Sequence, residues 1–270
     1  MIIQNKTIYT ICLFLLLTYI ISFFTMGILI YKKDIMEYGL YGVLGGMWSP
    51  TISILILSFL GIISIHTISW NIGSIKYWII GFIIPLIYTS IIYAIAYTKR
   101  YIHFTTSTFY ENSIKHIYQI AKGSITGTLT AMGEEIGWSG LLTPLLYTMT
   151  KSYTITSFLR GIIWSSWHYP LIIGNIYGPK EISISYKILY FTISMVFFSF
   201  AFVWLQLQSK SLFPSVILHM SHNLCIQTIF PLFTKSNKTN IHQKIGEFGS
   251  ITSVVSVGVA IFFWVLKNIL

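Results

Sequence analysis

The chain has 270 residues, 54% of them hydrophobic and 9% charged, with a net charge of +10 and a mean hydropathy of +0.73. A soluble domain carries about 25% charged residues, so a chain this apolar cannot cover its surface in water and needs lipid as its solvent. The basic residues are scattered between apolar runs, which suits anionic headgroups and argues against a nucleic-acid partner; two distant cysteines, Cys12 and Cys225, leave no basis for a disulfide framework or a cysteine zinc site.

A spanning helix needs about 20 apolar residues. Eight stretches qualify in chain order: 8–31, 51–69, 77–98, 123–149, 157–176, 186–206, 211–231 and 250–266. The predicted fold is therefore all-α, a polytopic bundle of about eight transmembrane helices forming a single domain over residues 1–270. The first span is too long for a signal-peptide core, and no small-residue cleavage site follows it, so it is expected to stay as an anchor. Trp48, Trp70 and Trp78 fall near predicted span ends, as in aromatic belts. Pro50, Pro85, Pro144, Pro170 and Pro214 mark starts, kinks or breaks. The longest polar connection, about 99–121, is too short for a separate core. Eight spans put eleven Lys and Arg on one side and six on the other, which assigns the richer side to the cytoplasm and both termini outside.

Three of these spans carry polar groups. The fourth contains Glu134 and Glu135, followed by Trp138 and Ser139 at helical spacing. The chain has seven acids in all, and Asp34, Glu37, Glu111, Glu181 and Glu247 fall near polar breaks, so this pair alone lies inside a long uncharged run. An ionisable group at membrane depth costs roughly 2.5–3.5 kcal/mol on insertion scales and is read as functional. The fifth span contains Trp164-Ser165-Ser166-Trp167-His168, and the seventh His219-Met220-Ser221-His222-Asn223, with His219 and Asn223 on one helix face. Helices in a bundle can bring such groups to one buried site. His66 is expected to be structural or interfacial, and His103, His116 and His242 to lie exposed in polar connections. Trp138 and Trp167 are read as core packing.

A carboxylate beside a histidine in a semi-dry cavity can hold and deprotonate a water, while a second histidine and an asparagine amide suit a developing oxyanion. Together these groups describe amide hydrolysis. The same residues could ligate a metal, as histidines and a carboxylate do in zinc hydrolases, although no HExxH is present. His222, three residues from His219, could take its place.

In order and interval the three motifs resemble those of the CPBP intramembrane proteases, which include the type II CAAX prenyl endopeptidases. That family shows EExxxR, FxxxH and HxxxN in a bundle of about eight helices. The resemblance covers roughly residues 40–231 and includes Met47-Trp48-Ser49-Pro50 at the start of the second span. It implies that Glu134 is the water-activating base with Glu135 its partner, that His168 polarises the water, and that His219 and Asn223 form the oxyanion site. It also implies a glutamate-type endopeptidase without a cofactor or metal. Two positions depart from the pattern: Trp164 replaces phenylalanine and Ser139 replaces arginine. The second removes a cation, so either one glutamate is protonated, or Arg160 approaches from elsewhere, or activity is weakened or lost.

The reading is an intramembrane endopeptidase acting on a lipidated or membrane-associated peptide, with membrane lipid as its surroundings and no nucleic acid. Lysine over arginine, with abundant Ile, Asn and Tyr, points to an A/T-rich and plausibly bacterial genome, hence the plasma membrane. The alternative keeps the scaffold but not the chemistry: a non-catalytic peptide-binding protein with an immunity or regulatory role. A transporter with a proton-coupling glutamate is disfavoured by the absence of inverted repeats.

Overall fold

A computed structural model describes residues 2–32, 35–105 and 113–269, with the side chains of 2–4, 35–44 and 269 outside the description. Asp34 and Glu111, and the side chain of Glu37, fall outside it. The described chain is an all-α membrane bundle. Its helices are α1 Ile2–Lys32, α2 Ile35–Phe59, α3 Ile75–Thr98, α4 Ser113–Gly137, α5 Thr143–Thr150, α6 Tyr153–Ile173, α7 Ile184–Ser209, α8 Phe213–Asn223, α9 Phe230–Leu232 and α10 Ser250–Ile269. A π-helical turn, Trp138–Leu142, joins α4 to α5, and a second, Leu224–Ile229, joins α8 to α9, leaving eight continuous rods among the described residues. Four helices, α1, α3, α7 and α10, are long and apolar enough to cross a membrane by length and composition. The others are diluted by the Ser, Thr, Gly and His that they turn inward.

The second span differs from its predicted bounds. Hydropathy placed it at 51–69, whereas α2 ends at Phe59. Gly61 takes φ +68°, its N–H reaches the Ser58 carbonyl, and the Ile62 N–H reaches that of Leu57. This is a Schellman stop, which a sliding average cannot see. Pro50 then sits inside α2 rather than at its start. The Gly46 carbonyl, which Pro50 cannot reach with an N–H, accepts from Ser49 Oγ at 2.7 Å instead. Trp48 is consequently mid-helix, packed against Gly133, and is not a belt residue.

The connections sort to two ends. At one end Trp70 bridges Ser211, and Ser69 donates to the Gly140 carbonyl at 3.2 Å. At the other, β1 His103–Phe104 pairs antiparallel with β2 Thr234–Lys235, and Tyr186 donates to the Gln243 carbonyl at 2.7 Å. Helix α7 runs through the centre: 67% of its apolar window is buried, against 28% for α1 and for α10, which form the rim. Phe23, Phe24, Phe59 and Phe262 point outward, where lipid is the solvent.

At Gly161 the backbones of α6 and α7 meet. A Cβ there would fall on the Val196 backbone and within 3.1 Å of both the Met195 carbonyl and Ser199 Oγ. Gly161→Leu is expected to cost about 1–3 kcal/mol by overpacking. A thermal-unfolding series in detergent checks this, with the unobstructed Gly258→Ala as the unaffected control.

Candidate active site

Glu134 and Glu135 are the last acids of α4, in the turn before the π segment. Adjacent helix positions point about 100° apart, and here the difference separates two environments. Glu134 lines a cavity of about 430 Å³ together with Trp164, His168, His219, His222 and Asn223. Glu135 does not line it. It is fully buried behind its neighbour, where Arg160 Nη2 binds both of its oxygens at 3.1 and 3.0 Å, Ser139 Oγ donates to Oε2, and His219 Nδ1 lies 3.1 Å from Oε1.

Arg160 therefore answers the departure at Ser139. It rises from α6, is 0% exposed, and lies over the rings of Phe202 at 4.3 Å and Trp164 at 4.9 Å. Its Nη1 donates to Ser199 Oγ at 3.2 Å. A guanidinium delivered from the next helix thus occupies the flank of Glu135, while the serine contributes a hydroxyl. A buried carboxylate is tolerated only when paired and hydrogen-bonded, and Glu135 has three such partners.

The departure at Trp164 also has a consequence. Its indole N–H donates to Glu134 Oε2 at 2.8 Å, and Trp138 adds a longer contact to the same oxygen at 3.4 Å. Phenylalanine at this position has no such donor. Sequence reasoning drew no consequence from this replacement and missed the hydrogen bond; the signal available was the N–H itself, which when buried normally finds a partner. Trp164 also abuts His219, with ring centroids 5.2 Å apart, and so spans the site.

Both histidines are oriented by their Nδ1 atoms. His168 Nδ1 lies 2.9 Å from the Trp164 carbonyl. A carbonyl can only accept, so Nδ1 carries the proton and the neutral ring keeps its lone pair on Nε2. His219 is oriented by its Nδ1 on Glu135 Oε1. Asn223 lines the cavity one helical turn beyond His219, with no side-chain hydrogen bond among the described residues. His222 also lines it, but its Nδ1 meets Tyr88 OH at 2.5 Å, which fits packing rather than substitution for His219. Trp167 is core: its N–H goes to Ser22 Oγ at 2.5 Å. Glu134, Glu135, His168, His219 and Asn223 are thus brought together from three rods, with four of them on the cavity and Glu135 behind. His103 and His242 are exposed, in line with expectation, and His66, read as structural or interfacial, is exposed on the short turn Ile65–Thr67. His116 corrects one: α4 begins at Ser113, earlier than hydropathy indicated, and His116 is 7% exposed against Phe233.

Among the described residues no three His, Cys, Asp or Glu side chains are grouped so as to hold a metal ion. One π turn begins three residues after Glu135 and the other directly after Asn223, in the two rods that carry them. Such turns are frequent at functional sites because they re-aim side chains within a helix.

Residues 117–225 match the family model described as type II CAAX prenyl endopeptidase, Rce1-like. These residues are similar to the CAAX protease family over that stretch. All five candidate residues lie within the match. A similar protein is the CAAX prenyl protease 2 of Methanococcus maripaludis, 36% identical over 103 residues, a stretch that is 36% of each chain. The chain therefore spans about a third of the length of the curated relative it matches. The family's proteins are membrane endopeptidases, and the resemblance read from the three motifs is borne out at this level.

Proposed function

We propose that the protein is a membrane-embedded endopeptidase in which Glu134 activates a water held with His168. The observation that carries this reading is the asymmetry of the glutamate pair. Glu135 is saturated by Arg160, Ser139 and His219, whereas Glu134 Oε1 accepts no hydrogen bond among the described residues and its side chain lines the cavity beside two histidines. In the proposed reaction a water between Glu134 and His168 gives its proton to the carboxylate as it attacks the peptide carbonyl. His219 and Asn223 stabilise the oxyanion by hydrogen bonding, His219 through a protonated ring poised on Glu135. Glu134 then returns the proton to the leaving amine, so one carboxylate serves as base and then acid.

The substrate class follows from the surroundings. Leu29, Met47, Leu171 and Phe191 give the cavity an apolar wall suited to a lipidated or membrane-inserted peptide, and the relative's name supports a prenylated one as the first to try. The reading of a peptide-binding protein without catalysis rested on Ser139. Arg160 supplies the cation that serine lacks, so that feature no longer favours it.

The test uses the full chain in nanodiscs with a fluorogenic prenylated peptide and its unlipidated twin. His168→Ala is expected to lower cleavage by about 10²-fold or more, and chelator to leave the unaltered protein's rate unchanged. Equal rates for the two proteins would sink the assigned mechanism; loss with chelator would replace it with a metal-assisted one.

A further inference from the structure

Glu247 was read from sequence as one more acid at a polar break. It lies in the segment between a short turn at Ile241–Gln243 and α10, and it lines the same cavity as Glu134. The next residue anchors it: Phe248 is 4% exposed and packs on Tyr177 and Phe191, with centroids 5.2 and 5.5 Å away. Glu247 Oε2 accepts from Tyr177 OH, and Oε1 accepts from Gln227 Nε2 at 2.7 Å. Burial, with the adjacent carboxylate, holds the Tyr177 phenol well above its ordinary range, so it stays a donor.

Both donors are neutral. Among the described residues the ion pairs are Arg160–Glu135 and His219–Glu135, so the Glu247 carboxylate has no cationic partner. A carboxylate offers about four acceptor sites, of which two are used here, leaving one on each oxygen. No Lys or Arg is among the residues lining the cavity, although the chain carries seventeen. Tyr177, which holds Glu247, also stacks on His168 with centroids 5.7 Å apart and planes at 27°. The unpaired carboxylate is thus separated from the reacting centre by a single tyrosine.

We propose that Glu247 forms a subsite for a cation on the peptide, an alkylammonium or guanidinium within about four extended residues, at roughly 3.3 Å each, of the bond that is cut. The proposal deepens the peptidase reading and rests on it for the location of that bond. Lysines at this end of the bundle, such as Lys235 and Lys238, are not on the cavity. Their repulsion is screened over a Debye length of about 8 Å at physiological salt, whereas a cation seated at the half-buried Glu247 is shielded from that screening.

Binding separates this subsite from catalysis. Full-length Glu134→Gln protein in phosphatidylcholine nanodiscs is titrated with fluorescent N-acetylated peptides carrying lysine or norleucine at scanned positions, and with a free-amine norleucine peptide. One cationic peptide is expected to bind about tenfold tighter than its neutral twin, equivalent to about 1.4 kcal/mol. The ratio is expected to fall to about one when Glu247→Gln is added. Preference confined to the lysine arm identifies a side-chain cation, and preference confined to the free-amine arm identifies the chain terminus. Equal affinities in the Glu134→Gln protein, a ratio that Glu247→Gln leaves unchanged, or no binding of any peptide would overturn the subsite. Should the binding preference hold while the unaltered protein cleaves neither these peptides nor their prenylated forms, the peptidase reading fails and the cation subsite stands.

Discussion

Glu134→Gln is expected to reduce peptide cleavage by about 10²–10⁴-fold while leaving the thermal-unfolding midpoint within a few degrees of the unaltered protein. The amide keeps the side chain's shape and its oxygen can still accept from Trp164 Nε1, which donates at 2.8 Å. What it loses is the ability to take a proton from water and return it to an amine. The expectation is specific to this glutamate because its surroundings are lopsided: one oxygen is held by indole N–H groups, the other accepts no hydrogen bond among the described residues, and the side chain lines the cavity. Single-turnover cleavage of the prenylated peptide, measured beside the melting curve, is the check. Cleavage by Glu134→Gln within about tenfold of the unaltered rate would remove Glu134 from the role of base.

Arg160→Met has the second large expected effect, and it falls on stability. The side chain is 0% exposed and binds a carboxylate that is also 0% exposed, at 3.0 Å. Removing one partner of a buried pair leaves an uncompensated charge, at about 3–5 kcal/mol. The aromatic rings of Phe202 and Trp164, 4.3 and 4.9 Å from the guanidinium carbon, would lose a cation as well. Two further variants identify the cause. Arg160→Met with Glu135→Leu removes both charges and is expected to recover most of the lost stability, since an apolar pair of similar volume is often neutral relative to a buried ion pair. Arg160→Met with Ser139→Arg returns the cation from the π turn that continues α4, four residues after Glu135, where the hydroxyl already reaches the carboxylate. That variant is expected to recover stability and cleavage together. Thermal unfolding in detergent reads the first quantity and peptide cleavage the second. If Arg160→Met alone melts with the unaltered protein, the guanidinium is not what neutralises Glu135.

Much of the architecture was legible in one dimension because lipid imposes a simple rule. Backbone polar groups must be satisfied within each segment, so apolar runs of sufficient length become helices, and eight such runs became eight rods among the described residues. Polar side chains inside those runs are expensive, which makes Glu134, Glu135, His168, His219 and Asn223 conspicuous in the sequence alone. The end of α2 was not legible, since the stop at Gly61 depends on a backbone dihedral rather than on hydropathy. The burial of His116 was missed because α4 starts earlier than its apolar portion does.

The sequence by itself determined the class of solvent, the number of rods among the described residues and the set of polar groups placed inside apolar runs, because each follows from transfer energies and helical period acting along the chain. Tertiary structure decided which glutamate is free. Glu134 and Glu135 are neighbours with the same chemistry, and nothing local tells them apart. The difference comes from α6, which places Arg160 beside one carboxylate and the Trp164 indole beside the other. It comes also from α8, which turns His219 toward both the pair and the cavity. Pairing of charges across helices is a property of their packing, so the serine that looked like a missing cation could be understood only once the helix supplying that cation was in place.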